Sequence, residues 1–151
     1  MKHVVVDMAT MISWYLPRPQ SVHSQHLLRL SDSGRVFIHA IASMPTHVAD
    51  HILRMRHRQP KISLNHMQLI MEAIAALPIF YCDDHPLLSA GLQIAIRLGV
   101  PVSQALSLAL ASAHDIPLCT VDPKLLALRV PSELEPFIVS VNDFAGQLQS
   151  A

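Results

Sequence analysis

Apolar and polar positions along this chain switch repeatedly between the spacing of short strands and that of helices. Val4-Val5-Val6 is a uniformly apolar, β-branched run, the pattern of a central strand covered on both faces in a parallel sheet, and it ends at Asp7. Met8 to Leu16 then reads as a helix stopped by Pro17 and Pro19, and Ser21 to Leu30 as a second that ends before Ser33-Gly34. Val36-Phe37-Ile38 predicts the next strand. Pro45 opens a helix through Met55, with Val48, Ile52 and Met55 at helical spacing. After Pro60, the positions Leu64, Met67, Ile70, Met71 and Ile74 keep a helical period up to Leu77, ahead of the short Pro78-Ile79-Phe80-Tyr81 segment. The methionines in this stretch read as packing groups.

Leu87 to Leu98 predicts a helix capped by Gly99, and Val102 to Ala113 another that is rich in Ala and Leu. Ile116 to Thr120 predicts a strand that delivers Asp122. Pro123 to Leu128 is one more short helix, and Phe137-Ile138-Val139 a final strand before an Asn142-Asp143 turn. Short apolar strands alternating with helices predict an α/β fold with a parallel sheet. With no internal repeat, linker or low-complexity stretch, residues 1–151 read as a single domain.

Composition narrows the function classes. Apolar residues make up 51% of the chain and charged ones 15%, too hydrophobic for a disordered segment and enough to leave some apolar surface for a partner. Arg, His, Pro or Gln interrupt each apolar run before the roughly 20 residues that span a bilayer, and the basic-then-apolar opening lacks a small-residue cleavage site. No membrane association and a cytoplasmic location are therefore expected. Cys82 and Cys119 have no paired spacing, so both read as buried small hydrophobes. A formal charge of zero argues against holding nucleic acid by bulk electrostatics, so any RNA contact must be local. Arg54, Arg56, His57, Arg58 and Lys61 form the clearest basic cluster, either a solvated helix end or a phosphate contact. Trp14 and Tyr15 read as core or interface anchors.

Chemistry concentrates at two acids. Asp7 and Asp122 each follow a buried-type strand, which in an open parallel sheet is the edge where ligands bind. Two carboxylates there could share a hard cation such as Mg²⁺ or Mn²⁺, which activates water and stabilises charge on a phosphodiester. Alternatively each Asp caps the helix after its strand.

The order of these segments resembles the PIN domain, including the VapC-type toxins of bacterial toxin–antitoxin pairs. Val4-Val5-Val6-Asp7-Met8-Ala9-Thr10-Met11-Ile12 is similar to the family's first strand, acid and short helix. Ala105 through Ala111, followed by Ile116-Pro117-Leu118-Cys119-Thr120-Val121-Asp122, resembles its Ala/Leu-rich helix, strand and Thr-x-Asp signature. Pro45-Thr46-His47-Val48-Ala49-Asp50 stands at the helix entry where the family has Glu-Val-Ala-Asn. The resemblance implies a three-layer α/β/α domain with a central parallel sheet and a metal-dependent ribonuclease ancestry. It also implies a homodimer and a small antitoxin partner.

Carried over by position, Asp7 and Asp122 match the first and last family acids, whereas His47 replaces a Glu and Gln104 replaces an Asp. The resemblance thus places Asp7, His47, Gln104 and Asp122 together in a catalytic cleft, with Asp7, Asp122 and His47 as metal ligands. Two lost carboxylates weaken the case for Mg²⁺, while an imidazole suits Mn²⁺, Zn²⁺ or Fe²⁺. A cleft that binds no ion is the remaining option. His51 lies four residues after His47 on the same helical face, and His47 could instead hydrogen-bond one of the acids. Asp50 is a further carboxylate about 300° around the helix from His47.

The function expected is therefore RNA hydrolysis, weakened or lost, or else a non-catalytic module that binds nucleic acid or protein through the same cleft. A phosphoacceptor receiver domain would need an acidic pair near the first strand and a Lys near the last, and the chain has neither in place.

Overall fold

The computed structural model describes residues 2–17, 19 and 21–149. Its elements run β1 (Lys2–Val6), α1 (Met8–Tyr15), α2 (Ser21–Asp32), β2 (Val36–Ile41), α3 (Met44–Arg58), α4 (Leu64–Ala75) and β3 (Ile79–Cys82). They continue as α5 (Leu88–Leu98), α6 (Val102–His114), β4 (Leu118–Thr120), α7 (Pro123–Leu126), β5 (Ile138–Ser140) and α8 (Val141–Gln149). Single 3₁₀ turns at His85–Leu87 and Glu135–Phe137 lead into α5 and β5.

Five parallel strands form one sheet in the order β3-β2-β1-β4-β5, flanked by helices in a three-layer α/β/α arrangement. The β-branched run explains its centre: Val4, Val5 and Val6 are fully buried, because β1 is covered on both faces. Helix α6 lies across β1, β2 and β4, with α5 packed along it. Helix α2 packs on β2 and α8, and α8 on β4 and β5. Where α5 meets α6, a Cβ on Gly91 would stand 2.6 Å from a Leu106 methyl, so glycine permits the close approach. Trp14 is a core anchor, its indole N–H donating to the Ser24 carbonyl at 2.9 Å and tying α1 to α2.

Three expectations need correction. The last strand is shifted to Ile138–Ser140, and Asn142 and Asp143 lie in the first turn of α8 instead of a loop. The Asp143 N–H bonds to the Ser140 hydroxyl at 3.0 Å, a Ser-x-x-Asp helix start that the turn-like Asn-Asp pair obscured. Cys82 is half-buried at the end of an edge strand, unlike the fully buried Cys119. Among the described residues, no single helix is long and apolar enough to cross a membrane.

Candidate functional site

Strand order reverses between β2-β1 on one side and β4-β5 on the other, so the carboxyl ends of β1 and β4 flank the topological switch point. The register pairs Val6 with Cys119, which sets Asp7 level with Thr120 and brings Asp122 around the end of β4. Both helix caps form as well. Asp7 accepts the Thr10 N–H at 3.0 Å at the start of α1, and Asp122 accepts the Lys124 N–H at 2.9 Å at the start of α7. Capping and convergence on one site are thus compatible roles for the same two acids.

Asp7 is only 1% exposed, and its oxygens are occupied from within the protein. One takes the Thr10 N–H and lies 2.9 Å from the Thr10 hydroxyl. The other accepts the Thr120 hydroxyl at 2.6 Å and the Gln104 amide at 3.4 Å. The same Gln104 nitrogen donates to Asp122 at 2.9 Å, so one amide from α6 bridges both carboxylates. Burial raises the Asp7 pKa above its usual carboxylate value, opposed by the hydrogen bonds from Thr120, Thr10 and Gln104. Burial, with the Asp7 charge adding, also pushes the Cys119 thiol up, so this neighbour is no thiolate nucleophile.

His47 is half-buried on α3 and lines an adjoining cavity of about 320 Å³ with Asp50, His51 and Arg54. This cavity shares Met8, His51 and Pro101 with the main cleft, but the hydrogen bonds described for Asp7 and Asp122 run to other residues than His47. Asp50 turns outward to Arg54 in a 2.7 Å ion pair. The main cleft, about 610 Å³, is walled by Ile12, Leu98, Val100, Leu125 and Leu128, with Asp122, Gln104, Lys124 and His51 as its polar groups.

This donor set does not fit a divalent ion of the kind the PIN resemblance implies. Hard cations need several open oxygens, whereas Asp7 presents its lone pairs to Thr10, Thr120 and Gln104. The gap between the carboxylates is spanned by a donor N–H₂. Among the described residues, no three His, Cys, Asp or Glu side chains are grouped as a metal-binding set.

Thr10 and Thr120 hold Asp7 in place, roles that reading for acids alone does not reveal. The signal was present, since Asp7 and Thr10 have the spacing of a helix cap and its third residue, and Thr120 is two positions before Asp122. Asp84 was also missed: it accepts the Ser43 N–H at 3.2 Å and the Ser43 hydroxyl, and ties the start of α3 to the end of β3.

No family model matches the sequence, and neither does any curated protein. Solved structures do match. The crystal structure of PAE2754 from Pyrobaculum aerophilum is similar at a TM-score of 0.62 and 12% identity, over 99% of this chain and 98% of that one. A toxin–antitoxin complex from Klebsiella pneumoniae contains a chain similar at a TM-score of 0.55 and 13% identity, over 91% of this chain and 97% of that one. At these identities the likeness is one of fold, extending across nearly the whole chain, and it agrees with the three-layer α/β/α architecture described above.

Proposed function

We propose that this chain is a PIN-like domain of ribonuclease ancestry whose cleft has become a binding site for a protein segment, with RNA hydrolysis lost. The observation that carries this reading is the Gln104 amide bridging Asp7 and Asp122 while the buried Asp7 is held by two threonines. That arrangement satisfies the acids internally and leaves Asp7 no free oxygen with which to position an ion or a water. The walls of the cleft favour apolar side chains over a polyanion, with Lys124 the only Lys or Arg in its lining among the described residues. The basic end of α3 is partly engaged elsewhere: Arg54 pairs with Asp50, and Arg56 donates to the Ile62 carbonyl.

A fold shared with a component of a toxin–antitoxin complex supports a small antitoxin-type protein as partner. A homodimer belongs to the same reading. A weakly active ribonuclease is the second reading, favoured by the convergence of Asp7 and Asp122 at the carboxyl edge with His47 and His51 close by. Incubating the purified protein with varied labelled RNAs and Mg²⁺, Mn²⁺ or Zn²⁺ separates the two. The expected result is no cleavage beyond that of an Asp122→Asn control. Metal-dependent cleavage that disappears in Asp122→Asn would establish the second reading instead.

A further inference from the structure

On one face of the sheet, near the amino end of β1 and the middle of β2, a pair of imidazoles stands with no part in the cleft. The parallel register places His3 beside Phe37 and Val5 beside His39, so His3 and His39 are diagonal neighbours on one sheet face. His3 Nδ1 and His39 Nε2 are 2.9 Å apart. Each ring is backed by an aromatic one, His3 stacking on Phe37 at 5.1 Å and His39 on Phe80 at 5.3 Å, and Phe37 meets Phe80 edge-on at 5.7 Å. The imidazoles are thereby braced on a surface where His3 stays solvent-exposed. Asp115 lines a cavity with His3.

We propose that His3 and His39 form a surface site for a late first-row transition cation, Cu²⁺ or Ni²⁺ ahead of Zn²⁺. Imidazole nitrogen is a preferred ligand of these ions, and affinity along the divalent series peaks at Cu²⁺. Two nitrogens 2.9 Å apart and each about 2.0–2.1 Å from a shared ion subtend roughly 90° at it. This is the angle between adjacent ligands in square-planar and octahedral geometry. In the metal-free pair one ring N–H points at the other's lone pair. Binding moves that proton to the donor ring's other nitrogen, through water, and a small swing of both rings turns two lone pairs onto the ion, with no net proton released.

No three ligand-type side chains are grouped there as they stand among the described residues, so the remaining positions belong to water. The site is independent of the cleft, so its test does not depend on the proposed loss of hydrolysis.

The test is titration of tag-free protein with NiCl₂ and CuCl₂ by calorimetry, alongside His3→Ala, His39→Gln and His66→Ala. The last removes an exposed histidine of α4 and controls for the other imidazoles of this His-rich chain. One saturable site is expected in wild type and His66→Ala, weakened at least tenfold in His3→Ala and His39→Gln, with Cu²⁺ spin resonance reporting two nitrogens. His3 is exposed, so its variant keeps the test open even where His39→Gln fails to fold. Equal affinity in wild type and His3→Ala, or no saturable site in wild type, would overturn the proposal.

Discussion

Asp7 concentrates the physical tension of the molecule: a carboxylate with 1% exposure, next to a second carboxylate, with an amide in place of a full positive charge between them. Burial is the largest influence on its pKa and raises it above the ordinary 3.8. The folded state therefore holds the Asp7 proton more tightly than the unfolded state. The associated stability is fully present below about pH 3.8 and is lost as pH rises through the raised value. Asp7→Asn removes this dependence, because the amide carries no charge at any pH in the range. Thermal melts of both proteins across mildly acidic to neutral pH should show the wild-type Tm falling relative to that of Asp7→Asn. A difference that is constant, or that grows in favour of wild type with rising pH, would mean that Asp7 is charged and well stabilised when folded.

Among the elements, the contact of α5 with α6 is the most demanding of a single side chain. Gly91 to Ala would gain about 1 kcal/mol of helix propensity, but its Cβ would meet the buried Leu106 at 2.6 Å from a methyl and 3.2 Å from Cγ. Gly91→Val adds bulk in the same place and is expected to destabilise by about 1–3 kcal/mol, the usual cost of overpacking. Urea unfolding checks this, and a Val variant as stable as wild type would show that α5 moves freely on α6. How far the elements were legible follows the same physics. Val4-Val5-Val6 and the Ala/Leu-rich α6 could be placed because burial on both sides leaves continuous apolar runs. The start of α8 could not, because Asn142-Asp143 suits a turn and a helix entry equally, and only packing on α2 decides between them. The role of the Thr10 hydroxyl follows from its place three residues after Asp7, whereas that of Thr120 depends on a partner 113 residues away in sequence, which only the β1–β4 pairing brings near.

For the molecule as a whole, the pairing of β1 with β4 brings Asp7 and Asp122 to one edge. The order of the segments also puts Gln104 beside both acids, where it lies, whereas His47, expected with them, lines the next cavity because α3 carries it there. Under the proposed function, Gln104 keeps the cleft metal-free, and restoring acids should reverse this. His47→Glu with Gln104→Asp is expected to create Mg²⁺ binding and raise Mg²⁺-dependent RNA cleavage, neither single change sufficing, since such groups act as a unit. The most direct measurement is calorimetric titration of Mg²⁺ into the wild-type protein and Asp122→Asn at neutral pH. The account predicts no saturable binding that distinguishes the two. Saturable Mg²⁺ binding in wild type that is lost in Asp122→Asn would show that the acids hold an ion despite the Gln104 bridge, and would contradict it.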